Sequence, residues 1–202
     1  LKKIRKRILK DHHKIFAHAV YLFGQTSDNQ SSVFNRGKEL WKKELVASIL
    51  VNDGENKHGY PGFETWRKEL LRMGVSDKAI VPLRAETIKE SVNTLTEAQA
   101  LVRYALTQGW RHVYITAAPF HQLRAFITTV SVLLREYPEL LVYNAVGTPL
   151  PWSETVRHSQ GTLITTRKGL LTTEMERIHS YHLKGNLVSP EEVLAYLERR
   201  DN

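Results

Sequence analysis

The chain contains no cysteine. That excludes a disulfide framework, a thiolate zinc site and a cysteine nucleophile, and it suits a reducing compartment, so a cytoplasmic location is the expectation. No apolar run reaches the roughly 18 residues needed to cross a bilayer, and no signal peptide opens the sequence. The chain begins at Leu1 rather than Met, which leaves room for a leader or an anchor upstream. There is no Gly-x-Gly-x-x-Gly and no Walker A lysine loop, so the standard dinucleotide and P-loop fingerprints are missing. No β pattern interleaves aromatic and basic residues in the manner of an RNA-recognition module, leaving net charge as the only argument for nucleic acid. Internal repeats and low-complexity segments are also absent.

What is present describes one folded unit. At 202 residues, with 42% hydrophobic and 25% charged side chains, the chain can bury a single sizeable core. A net charge of +8 favours anionic partners, namely phosphorylated small molecules, acidic lipid head groups or nucleic acid. Residues 1–14 combine a basic face with Leu1, Ile4, Ile8 and Leu9 in a short amphipathic helical pattern. Such a segment either contacts a membrane surface or packs on the edge of the domain, and packing is the commoner outcome at this length.

Strand-like and helix-like stretches then alternate. Strands are expected at residues 16–23, 46–51, 79–83, 113–117 and 140–146. Between them fall helices at 33–43, 61–73 (closed by Gly74) and from Thr94 to a stop at Gly109. Thr94-x-x-Glu97 reads as the capping box of that last helix. The alternation predicts an α/β fold with a mostly parallel sheet of five or slightly more strands and helices on both faces. Residues 15–147 would form this domain. Residues 148–202 would add a rigid Pro-rich loop and two helices packed on it: 166–184, with Leu170, Leu171, Met175 and Ile178 inward, and 191–199, started by Ser189-Pro190-Glu191-Glu192.

The stretch from His112 to Leu134 carries the densest chemistry. A strand ends in a small-residue turn, Pro119 takes the first helical position, and His121 and Arg124 follow within a turn. Unpaired N–H groups at such a helix start favour an anion. Arg124 can grip phosphate or carboxylate bidentately. His121 beside a helix N-terminus should stay neutral and be suited to accepting a proton. Right-handed crossovers bring the loops after residues 23, 51, 83 and 117 to one sheet edge. That edge would collect Gly24, Asn52, Asp53, Gly54, Glu64, Glu90, Asn93, Thr94, Glu97 and Thr116. Glu64 or Glu90 could orient His121 or act as a second acid or base, while Asn52 and Asn93 offer amide contacts. Glu176-x-x-His179, with His182 beyond, has the spacing of one half of a di-iron site; such sites need two such motifs on facing helices, so no metal is assigned.

The same residues show a family resemblance. Arg36, Ile49-Leu50-Val51-Asn52-Asp53-Gly54, Glu64 with Leu70 and Gly74-Val75, Glu90-Ser91-Val92-Asn93-Thr94-x-x-Glu97-Ala98, and Ile115-Thr116-Ala117-x-x-x-His121-x-x-Arg124-Ala125 all fit one pattern. Over residues 16–146 the chain resembles the YdcF-like domain family, which takes in the SanA and ElyC envelope proteins. The resemblance implies a Rossmann-like three-layer sandwich with a pocket lined at Arg36, Glu64, Asn93, Thr94, Glu97, His121 and Arg124. It also brings S-adenosylmethionine, which one member is linked to, as a candidate cofactor, and envelope maintenance as a role of others. Two positions depart from the family: Asn52-Asp53-Gly54 stands where Ser-Gly-Gly is common, and Thr116-Ala117 where Thr-Ser is common.

These readings converge on one expectation. The domain binds a small anionic, nucleotide-like ligand, S-adenosylmethionine or a phosphorylated compound, with transferase or hydrolase chemistry. His121, Glu97 and Glu64 are the candidate catalytic residues. Gly24, Arg36, Asn52, Asp53, Gly54, Glu90, Asn93, Thr94, Thr116 and Arg124 are the candidate ligand contacts. The alternatives are a ligand-binding module without turnover, or a basic protein that meets nucleic acid or an acidic membrane through its N-terminal segment.

Overall fold

A computed structural model describes residues 1–11, 15–57, 59–86, 92–158 and 162–202. The chain runs α1 (Lys2–Leu9), β1 (Ala17–Leu22), α2 (Gln30–Lys42), β2 (Val46–Asn52), α3 (Phe63–Arg72), β3 (Ile80–Leu83), α4 (Thr94–Thr107), β4 (His112–Thr116), α5 (Gln122–Glu136) and β5 (Leu141–Asn144). A two-stranded antiparallel pair follows, β6 (Thr155–His158) with β7 (Leu163–Thr166), and then α6 (Arg167–Leu183) and α7 (Pro190–Asp201).

The five long-range strands form one all-parallel sheet in the order β3-β2-β1-β4-β5. The fold is therefore a Rossmann-like α/β sandwich. Each strand is nearly continuous in apolar residues because both sheet faces are covered. Along β1 the alternation is plain: Ala19 and Tyr21 join the core beneath α4, α5 and α7, while Val20 and Leu22 join the core beneath α2 and α3. Strand order reverses between β1 and β4, so the crevice beyond their carboxyl ends is the topological switch point where ligands of open α/β sheets bind.

Several local details differ from the sequence reading. The helix α5 starts at Gln122, not at Pro119, because the Ala118 carbonyl accepts both His121 N–H (2.8 Å) and Gln122 N–H (2.9 Å) in a preceding turn. The capping box of α4 lies one residue earlier than expected. Asn93 Oδ1 accepts from Leu95 N at 2.9 Å and Thr96 N at 3.2 Å, and Thr96 Oγ1 accepts from Asn93 N at 3.0 Å. Asparagine caps at least as well as threonine, and the shift moves Glu97 off the cap and into the interior. The β6–β7 pair was not foreseen; its strands of four residues are too short for a period-2 pattern to stand out. On α6, Met175 is 37% exposed and Glu174 takes the inward place between Leu170 and Ile178.

The N-terminal helix packs on the domain. Ile4 and Ile8 are buried, Arg7 donates to the Leu197 carbonyl of α7 at 3.0 Å and pairs with Asp201, and Lys2, Lys3, Arg5 and Lys6 remain exposed. No helix among the described residues is long and apolar enough to cross a membrane.

Candidate functional site

Three loop or helix starts meet at the switch point: the segment after β1, the first turn of α4, and the turn joining β4 to α5. Gly24 and Gln25 come from the first, Thr94 and Glu97 from the second, His121 and Arg124 from the third or just beyond it. All six side chains or backbones interlock.

His121 is 2% exposed and engaged at both nitrogens. Gln25 Nε2 lies 3.3 Å from the Phe23 carbonyl, which accepts only a donor, and so the same NH2 group donates to His121 Nδ1 at 3.1 Å. With Nδ1 accepting, the ring proton sits on Nε2 and donates to Thr94 Oγ1 at 3.2 Å. Burial, reinforced by the Arg124 charge, holds the imidazole pKa well below its usual value. The ring is neutral, as the sequence suggested, but the main cause is burial rather than a helix dipole.

Arg124 donates through Nη1 to Thr94 Oγ1 at 2.7 Å. Its other face is taken by Glu174 of α6, with Nε at 2.5 Å and Nη2 at 3.2 Å. Glu174 also accepts from His158 Nε2 and Arg177 Nη1, both at 3.1 Å. Burial alone would raise the Glu174 pKa; Arg124 and the His158 hydrogen bond outweigh it and keep the carboxylate ionised. Neither Glu174 nor His158 figured among the sequence candidates. One signal was available: Leu170, Glu174 and Ile178 follow at i, i+4 and i+8, which puts an acid on the inward stripe of the helix.

Glu97, 5% exposed, forms the second half of the cluster. Its Oε1 accepts from the Tyr21 hydroxyl at 2.9 Å and from Gly24 N at 2.8 Å. Burial pushes its pKa up to about 7, against the opposing pull of Gly24 N–H, the Tyr21 hydroxyl and Arg124. A carboxyl group that is half-protonated near neutrality can give or take a proton at working pH. A Cβ at position 24 would lie 3.3 Å from Glu97 Oε1, so glycine there permits the close approach.

The remaining candidates divide between strand ends, a helix cap and positions outside the cluster. Asn52 and Thr116 stand at the carboxyl ends of β2 and β4, and Asn52 Oδ1 and Thr116 Oγ1 are buried without a hydrogen-bond partner among the described residues. Asp53 and Gly54 follow Asn52, with their backbones tied to Leu83 and Phe63. Asn93 is occupied as the cap of α4. Outside the cluster, Glu64 points to solvent with a side chain 69% exposed, 3.8 Å from Arg67. Arg36 pairs with Glu39 at 2.6 Å, about 9 Å down α2 from its first residue. Glu90 lies outside the described residues. Just past the end of β4, Ala117 N–H donates to Gln122 Oε1 at 2.7 Å.

A narrow hollow beside the β4–α5 turn is lined by Asn29, Ser32, Ala118, Pro119, Leu150 and Trp152. Neither His121 nor Arg124 opens onto it. Among the described residues no group of three or more His, Asp or Glu side chains is arranged to hold a metal ion.

No family model, no curated protein and no solved structure matches this chain.

Proposed function

We propose that the chain is a YdcF-like domain that binds a small anionic, nucleotide-like ligand, S-adenosylmethionine or a phosphorylated compound, in the switch-point crevice. Arg124 holds the anion and Thr94 orients Arg124. Glu97 exchanges the proton in a transfer or hydrolysis at the phosphorylated or activated group, and neutral His121 donates a hydrogen bond through Nε2. The observation that carries this reading is the joining of Thr94, Glu97, His121 and Arg124 to the Gly24–Gln25 loop in one buried hydrogen-bonded cluster at the strand-order reversal. A chance set of polar residues would scatter; buried ionisable groups with shifted pKa values gather where chemistry is done.

A second reading is binding without turnover. It is favoured by His121, whose two ring nitrogens are both engaged inside the protein. A thermal-shift screen against nucleotides, S-adenosylmethionine, sugar phosphates and polyprenyl phosphates tests both. A ligand at one hundred times its Kd stabilises the fold by about 2.7 kcal/mol. Stabilisation by none of the four classes overturns the ligand reading. With a ligand in hand, Glu97→Gln that abolishes turnover while sparing affinity supports the enzyme, and an absence of turnover in the parent chain supports the module.

A further inference from the structure

The crevice already holds an anion, and it belongs to the chain. The Glu174 side chain is 2% exposed and sits in a cage built from α5, β6 and α6. Arg124 supplies Nε at 2.5 Å and Nη2 at 3.2 Å, His158 supplies Nε2 at 3.1 Å, and Arg177 supplies Nη1 at 3.1 Å. Two guanidinium charges thus face one carboxylate charge. A dianionic phosphate matches that cage better than a carboxylate does, in charge and in number of acceptor oxygens. Arg177 is 26% exposed, which gives the cage an outer side towards solvent.

The start of the segment that delivers Glu174 is fastened to the loop between β1 and α2 by polar contacts. Thr26 Oγ1 donates to the Arg157 carbonyl at 2.8 Å, Arg157 N donates to Asp28 Oδ2 at 2.8 Å, and Arg167 Nε donates to Asn29 Oδ1 at 2.8 Å. Up to Glu174 its apolar support is a small cluster of Ala118, Phe120, Val156 and Leu170, separate from the two cores that flank the sheet, whereas Ile178, one turn further along α6, is anchored in the core beneath α4, α5 and α7. Water can replace polar fastenings of this kind at small net cost, so such segments open well before the core does. At the carboxyl ends of β1 and β4, Gln25 Oε1 and Thr116 Oγ1 are buried without a partner among the described residues. Buried polar atoms left unsatisfied at a closed site are accounted for when a ligand or water enters it.

We propose that the Glu174 carboxylate is a resident substitute for a phosphate group of the ligand, and that phosphate entering at Arg124 displaces it together with β6, β7 and the first two turns of α6. The proposal rests on reading the crevice as an anion site; it adds the class of anion and the element that gates it. An internal anion that must leave first lowers apparent affinity by the fraction of time the cage is closed. Removing that anion therefore tightens binding.

The test titrates inorganic phosphate into the wild-type chain, Glu174→Gln and Glu174→Ala, following thermal unfolding against sodium chloride at matched ionic strength. The expected result is a phosphate Kd at least tenfold lower for E174A than for wild type, with E174Q between them. Equal affinity, or no phosphate response in any of the three, overturns the proposal. A second measurement uses only the wild-type chain and decides the matter if E174A does not fold. Amide hydrogen exchange across residues 163–174 accelerates on adding phosphate if the segment is displaced; unchanged or slower exchange there overturns the proposal. A nucleotide that stabilises wild type while phosphate fails both measurements removes the displaced-carboxylate idea and leaves the ligand site standing. Failure of every probe removes both.

Discussion

Replacing Glu97 by glutamine removes an ionisation that the fold opposes. Burial carries the Glu97 pKa from its ordinary 4.5 to about 7. A difference of about 2.5 units, at about 1.4 kcal/mol each, is worth about 3 kcal/mol. The sign follows from proton counting. Between the two values the native state keeps a proton that the unfolded chain has released, so stability declines as pH rises through that window. Below the ordinary value both states are protonated and nothing is lost. Glutamine keeps an acceptor oxygen for the Tyr21 hydroxyl and Gly24 N–H and never ionises. Wild type and E97Q should therefore unfold with similar free energies near pH 4, diverge across the window, and reach a constant gap above about pH 8, where E97Q is more stable by about 3 kcal/mol. For a chain of this length that gap is roughly 6–12 °C in Tm. Urea unfolding followed by circular dichroism at half-unit pH steps measures it. A gap that does not vary with pH, or a wild type that gains on E97Q in alkali, refutes the reasoning.

Nitrogen NMR of the histidine side chains should find His121 neutral, with its proton on Nε2, throughout the range where an ordinary histidine titrates; titration near the ordinary histidine value or a proton on Nδ1 contradicts the Gln25 and Thr94 contacts. Because its pKa is lowered in the fold, the native state's protection of the neutral ring costs stability as pH falls through the unfolded histidine range. Gly147→Ala places a Cβ 2.5 Å from Ser32 Oγ and 2.6 Å from the Ala117 carbonyl oxygen, a backbone atom that cannot turn aside. It should cost about 1–3 kcal/mol in thermal or chemical unfolding; an unchanged Tm means that the backbone there yields more readily than its packing implies.

Much of the site was legible because its parts are local. Gly24 and Thr116 stand at strand ends, Thr94 and His121 at helix starts, and Arg124 in the first turn of a helix; each position follows from a neighbouring pattern of apolar residues and caps. The Ser189 cap with Pro190 and Glu192 was read correctly for the same reason. Glu64 and Arg36 were harder. Their helix assignments hold, yet which way a side chain leaves a helix relative to a distant crevice depends on how that helix is rolled on the sheet, and both turn to nearby partners, Arg67 and Glu39. The contacts of Glu174 and His158 leave no local trace because Arg124 lies 50 positions before Glu174 and Glu174 lies 16 after His158, and no local pattern records contacts of that range.

The sequence by itself determined the α/β alternation, the parallel sheet with helices on both faces, and the expectation that His121 and Arg124 stand at a strand-to-helix turn. Periodicity, capping chemistry and the handedness of crossovers act over a few residues or follow from chain geometry, so they can be read without coordinates. Only the tertiary structure decided that β1 and β4 are neighbours, that Glu97 lies inside the interior with Tyr21 and Gly24 rather than on a cap, and that the guanidinium of Arg124 meets a carboxylate from α6. Those outcomes depend on desolvation and on charges brought together across the whole chain, and neither quantity exists until the surfaces that exclude water have closed.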